Sequence, residues 1–214
     1  MKKIIILILC LPFFLLAQDS QKRKDKLKQQ GSKFETIAIG DQIPMIDNEL
    51  RSVKGNWMSI ESVKEKNGLI VIFTCNTCPF VVMWEDRYKL VEELAQRYNV
   101  GLVYVNSNYK KRDGDDSFEN MRKHAKDNQY QYPYLLDEKS RLANAFGAKT
   151  TPHVFLFNNT DQLVYKGCID DNHKDIKAVK SFYLKDAITQ LVSKKRVDPN
   201  ETRAVGCSIK RYVP

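Results

Sequence analysis

Five apolar residues, Leu69-Ile70-Val71-Ile72-Phe73, run without interruption after Gly68. So short and β-branched a run predicts a strand covered on both faces. Beyond the next cysteines the period changes. Trp84, Tyr88, Val91, Ala95 and Tyr98 fall on one face of a helix, with Glu85, Asp86, Lys89, Glu92 and Glu93 on much of the rest. Residues 100–105 read as a second strand and 106–116 as a polar loop containing Gly114. Ser117 can cap a helix reaching about Asn128, with Glu119 near its positive end. Residues 132–136 read as a short strand, and 140–146 as a helix stopped by Gly147. Two strands, 154–157 and 163–166, flank a polar turn and predict a hairpin. Residues 176–192 carry the pattern of one long amphipathic helix, and 198–214 read as irregular. The type of 57–63 is open.

Strand–helix alternation, then a hairpin and a last helix, predicts an α/β fold: a central mixed β-sheet with helices on both faces. Right-handed crossovers would put the first cysteine of Cys75-Asn76-Thr77-Cys78 at the carboxyl end of a central strand.

The folded domain is expected over 34–214, with the irregular extension at its end. Residues 1–17 have another character: Lys2 and Lys3, then an apolar run containing Pro12, then Ala17 before a polar stretch. That is the layout of a cleaved secretory signal. The run falls short of the roughly 20 apolar residues that span a bilayer. Cys10 would suggest a lipid anchor, but Leu9 stands where a small residue is needed. Export places the protein in the periplasm or another extracytoplasmic space, where disulfides are permitted.

The chain is 214 residues long with a formal charge of +9, which raises nucleic acid as a ligand. The excess is local. Lys22, Arg23, Lys24, Lys26, Lys28 and Lys33 stand against Asp19 and Asp25 in residues 18–33, a basic flexible linker. Weak contact with an anionic membrane surface is the other reading of that tail. No nucleic-acid-binding motif accompanies the charge.

A Cys-x-x-Cys pair can be half a zinc site, a structural disulfide or a redox couple. A closed zinc site needs four ligands, and His124, His153 and His173 are scattered. Position favours redox chemistry. Free N–H groups and the helix dipole at a helix start favour a Cys75 thiolate. Cys78, one turn on, can resolve a mixed disulfide formed at Cys75. Pro79 suits the first helical turn. Cys75 and Cys78 are therefore the expected catalytic residues. No resident cofactor or metal is called for.

Phe73-Thr74-Cys75-Asn76-Thr77-Cys78-Pro79-Phe80-Val81, Asn106-Ser107-Asn108, Tyr132-Pro133-Tyr134-Leu135-Leu136-Asp137 and Thr151-Pro152-His153-Val154-Phe155-Leu156-Phe157 carry a family resemblance. So do Ile169-Asp170-Asp171-Asn172 and the ending 201–210, with its Gly206-Cys207-Ser208-Ile209-Lys210. The domain resembles the thioredoxin-like superfamily, in particular peroxiredoxin-like redoxins of the alkyl hydroperoxide reductase and thiol-specific antioxidant type. The resemblance implies a thioredoxin-like fold, a cis Thr151-Pro152 peptide facing the cysteines, and Thr151 and Pro152 as substrate-binding residues. It has two departures. Leu69 stands where thioredoxins place a buried acid. Peroxidatic redoxins carry Thr-x-x-Cys, but Ile72 lies three before Cys75 and Cys75 three before Cys78.

His153 either approaches the sulfurs or packs as a strand residue. Cys168 and Cys207 could pair with each other, but a buried free thiol is the expectation for each. Asp170, Asp171 and Asn172 read as a turn or cap rather than a calcium loop. The leading function is thiol–disulfide exchange on exported protein thiols and disulfides, with a recycling redox partner. The alternatives are a thiol peroxidase and a Cu(I)-binding chaperone using both thiolates and His153.

Overall fold

The structure, a computed structural model, describes residues 34–212. The chain divides into two units, Met1–Glu35 and Thr36–Pro214, and the second carries the fold that follows. The expected signal at 1–17 and linker at 18–33 lie outside the described residues.

The unit opens with a short antiparallel pair, β1 (Leu50–Ser52) and β2 (Trp57–Met58). There follow β3 (Leu69–Thr74), α1 (Pro79–Tyr98), β4 (Gly101–Asn106), α2 (Phe118–Asp127), β5 (Tyr134–Leu136) and α3 (Arg141–Phe146). Then come β6 (Thr150–Thr151), β7 (His153–Phe157), β8 (Leu163–Gly167), α4 (Tyr183–Val192) and β9 (Cys207–Ser208). Seven strands form one mixed sheet in the order β2-β1-β5-β4-β3-β7-β8, and β6 and β9 pair separately. β3 lies parallel to β4 and antiparallel to β7, with Phe73 opposite His153. This is the thioredoxin-like α/β architecture expected from the sequence.

The unbroken apolar run of β3 has its reason in two cores. Ile70 and Ile72 face one cluster, with Trp84, Tyr88 and Val91 of α1, Met121 of α2 and Leu184 and Ile188 of α4. Leu69, Val71 and Phe73 face the other, with Leu142 and Phe146 of α3 and Phe155 and Phe157 of β7. Both faces are dry, so alternation disappears. Ser117 caps α2 by accepting the Asn120 N–H, as its position predicts. Gly147 ends α3 in the left-handed region.

One sequence expectation fails. Residues 176–192 are not one helix: Ile176–Ala178 is a 3-10 turn and α4 starts at Tyr183. Asp171 prevents continuity. Its carboxylate accepts the Lys180 N–H at 3.0 Å and its own N–H donates to the Ser181 carbonyl at 3.1 Å, holding the intervening chain extended. Over residues 198–212 regular structure is confined to a bridge at Glu201 and to β9, but the backbone is fastened to the domain. The Asn200 and Thr202 backbones bond Lys166 of β8, and β9 lies antiparallel to β6. Backbone pairing, invisible to periodicity over so few residues, orders this segment.

Candidate active site around Cys75, Cys78 and Thr151

β3 ends at Thr74, whose hydroxyl meets the buried Tyr88 hydroxyl at 2.9 Å. The chain turns through Cys75-Asn76-Thr77-Cys78 and enters α1. Cys78 is the extended N-cap, Pro79 opens the helix, and Val82 N–H closes the first bond to the Cys78 carbonyl at 3.0 Å. The missing proline N–H would have had no helical acceptor.

The β6–β7 junction supplies the opposite wall, through a cis Thr151–Pro152 peptide. Cys75 Sγ lies 3.3 Å from the Thr151 hydroxyl, and Cys78 Sγ lies 3.2 Å from the Thr151 carbonyl oxygen. Cys75, Cys78, Thr151 and Pro152 thus meet at the carboxyl end of β3, opposite the start of β7.

A third sulfur joins them. Cys207 is disulfide-bonded to Cys78 with 6.1 Å between their Cα atoms, leaving Cys75 and Cys168 as free buried thiols. This corrects the free-thiol expectation for Cys207 and rules out a Cys168–Cys207 pair in this state. Pairing of β9 with β6, Cys207 opposite Thr151, brings together two sulfurs 129 positions apart in sequence. Cys168 remains with Thr202, whose hydroxyl lies 3.5 Å from its sulfur.

Charge behind Cys75 comes from Asp116, which is 1% exposed. Its Oδ1 accepts the Asn76 N–H at 2.9 Å and Asn106 Nδ2 at 2.8 Å, and its Oδ2 accepts Asn108 Nδ2 at 2.9 Å. Tyr134 donates to Asn76 Oδ1 at 2.9 Å and accepts from Asn106 Nδ2 at 2.9 Å. Burial, then the Asp116 carboxylate, push the Cys75 thiol above its ordinary value; the Thr151 hydroxyl and the Cys78 and Thr77 N–H groups pull the other way and lose. The expectation of a depressed Cys75 is therefore corrected for this state. With Cys75 only 2% exposed, desolvation outweighs the donors of the helix start.

His153 takes the packing role. Its Nδ1 accepts the Lys149 N–H at 3.1 Å and its ring lies 4.4 Å from that of Phe155. Burial, reinforced by Lys149, Lys166 and Arg211, lowers its pKa to about 3, so the ring is neutral. Among the described residues no three His, Cys, Asp or Glu side chains converge as a metal-ligand group. Asp170 secures α1: its carboxylate accepts Trp84 Nε1 at 2.8 Å, Arg87 Nε at 3.2 Å and the Asn172 N–H at 2.9 Å.

The sequence offered Asp113, Asp115 and Asp116 in one polar loop with nothing to rank them. Only the fold shows which one reaches the cysteine turn. The Cys207 contact was equally hidden, although the Gly206-Cys207 ending had stood out as family-like.

The redoxin family profile matches residues 38–181. A hypothetical protein from Sinorhizobium meliloti 1021 is similar at 29% identity, over 85% of this chain and 98% of that one, with a TM-score of 0.76. A conserved uncharacterised protein from Geobacillus kaustophilus is similar at 29% identity, over 85% and 95% of the two chains, also with a TM-score of 0.76. A thioredoxin-like protein in its oxidised form shares the fold at 14% identity, over 74% and 99%, with a TM-score of 0.59. Comparison with curated proteins gave no match.

Proposed function

This chain belongs to the redoxin family, and we propose that it is a thiol–disulfide oxidoreductase acting through Cys75 and Cys78 on thiols and disulfides of exported proteins. The observation that carries the reading is the convergence of both sulfurs on Thr151, one on its hydroxyl and one on its carbonyl. In the reductive direction the Cys75 thiolate attacks a substrate disulfide. A Cys75–substrate bond forms and one substrate sulfur leaves as a thiolate. Cys78 then attacks Cys75, closing Cys75–Cys78 and releasing the second substrate thiol. The oxidative direction runs the same steps backwards. Thr151 and Pro152 hold the incoming sulfur, and the Thr151 hydroxyl donates toward Cys75 as charge develops there. A recycling redox partner restores the starting state.

Export is supported by the leader pattern of residues 1–17, and an extracytoplasmic site follows from it. Insulin reduction with a dithiol donor tests the chemistry. Cys75→Ser should bring the rate to background, and unchanged turnover would overturn the proposal.

A thiol-peroxidase reading has one observation in its favour. Thr151 places beside Cys75 the hydroxyl that Thr-x-x-Cys supplies in sequence. The buried, raised thiol speaks against it. Rapid, selective sulfenic acid at Cys75 under stoichiometric peroxide, on the reduced protein, would favour this reading; slow, unselective oxidation would reject it.

A further inference from the structure

We propose that Cys207 is a third redox-active cysteine, and that the disulfide formed at Cys75–Cys78 passes on to Cys78–Cys207 within the chain. This rests on the oxidoreductase reading of Cys75 and Cys78 and extends it to the C-terminal segment.

The segment is a strap fastened on both sides of Cys207. Upstream, the Lys166 N–H bonds the Asn200 carbonyl at 3.1 Å and the Thr202 N–H bonds the Lys166 carbonyl at 3.0 Å. Downstream, the Ile209 N–H bonds the Lys149 carbonyl at 3.1 Å, Lys210 N–H bonds Asn108 Oδ1 at 2.8 Å, and Tyr212 N–H bonds Ser140 Oγ at 3.2 Å. Ile209 is buried in the second core. None of these bonds uses the disulfide. Opening it leaves Cys207 fastened beside Cys78, at an effective concentration on the order of millimolar or above.

The strap also lies on the β6 edge, the backbone beside both active sulfurs. Gly206 makes that approach possible: a Cβ there would stand 2.7 Å from the Thr151 carbonyl carbon and closer still to its oxygen. Cys207 therefore occupies the place of a substrate cysteine, in the chain's own sequence.

The exchange balances without an outside electron source. The Cys207 thiolate attacks Cys78 Sγ of the Cys75–Cys78 disulfide. The Cys78–Cys207 bond forms, the Cys75–Cys78 bond breaks, and the electron pair leaves on Cys75. Cys75 takes up a proton equivalent to the one Cys207 lost. One disulfide replaces another, with no net oxidation. Burial and Asp116 keep the released Cys75 as the neutral thiol. The product matches the state observed here, with Cys75 free and buried. An external dithiol then reduces Cys78–Cys207, giving two electrons and two protons and becoming a disulfide.

The test starts from the fully reduced protein, mixed with one equivalent of oxidised glutathione. Samples are acid-quenched over time, alkylated and mapped by peptide mass. Cys75–Cys78 should appear first and give way to Cys78–Cys207, with Cys75 alkylated. Cys207→Ser should stop at Cys75–Cys78, and Cys168→Ser should follow the wild-type course. A wild-type protein that retains Cys75–Cys78 with Cys207 alkylated overturns the relay and leaves the oxidoreductase reading standing. Glutathione reduction by Cys75→Ser at the wild-type rate overturns the oxidoreductase reading, and the relay with it.

Discussion

Gly206 packs its backbone directly on Thr151, leaving no room for a side chain between the C-terminal strap and the β6–β7 junction. Gly206→Ala should force the strap outward, costing about 1–3 kcal/mol as other overpacking substitutions do. It should also lower the fraction of molecules carrying Cys78–Cys207. Denaturant unfolding and disulfide mapping check the two effects. Wild-type values for both would mean that the strap has another route past Thr151.

Asp116 adds its charge to the burial that raises the Cys75 thiol. Asp116→Asn removes the carboxylate that helps raise the thiol, so thiolate should appear at lower pH and Cys75 alkylation should become faster near neutrality. An amide nitrogen would also face one of the three donors now satisfied, costing about 1–3 kcal/mol. The pH profile of iodoacetamide reaction at Cys75 is the measurement. A profile that stays in place or moves upward would contradict this role.

Much of this region was legible in the sequence, for reasons tied to particular residues. The run 69–73 shows a two-sided strand because both of its faces are buried. The Trp84–Tyr88–Val91 stripe shows a helix because only one of its faces is. The turn between them then places Cys75 and Cys78. The partner of Cys78 could not be read, because β9 is two residues long and its position follows from pairing with β6 rather than from periodicity. Asp116 was hidden for a similar reason: a loop acid acquires its role from the elements it bridges. The broken helix at 176–192 shows the Asp171 contacts with Lys180 and Ser181 overriding an amphipathic pattern.

His153 should make stability sensitive to acid. Its folded pKa is depressed to about 3, below the unfolded value of 6.5. Between those values the unfolded chain binds the extra proton. The contribution is therefore complete above about pH 6.5 and lost as pH falls toward 3. Denaturant midpoints across this window should fall less steeply in His153→Gln than in the wild type. Equal slopes would show that the ring does not control the loss.

Asp170 and Arg87 are 1% and 2% exposed, and their ion pair ties α1 to the loop after β8. Asp170→Ala leaves a buried guanidinium and the Trp84 N–H without this acceptor. A loss of about 3–5 kcal/mol is expected, as for other broken buried pairs. A loss below about 1 kcal/mol by chemical denaturation, the scale of an exposed pair, would contradict the burial of this contact.

The most direct test of the central claim is to trap substrate on Cys75. In Cys78→Ser/Cys207→Ser neither neighbouring sulfur can displace a bound substrate. After reaction with a peptide disulfide, intact mass and peptide mapping should find one peptide joined to Cys75 through a mixed disulfide that persists until reductant is added. No adduct, or an adduct on Cys168 alone, would contradict Cys75 as the attacking thiol.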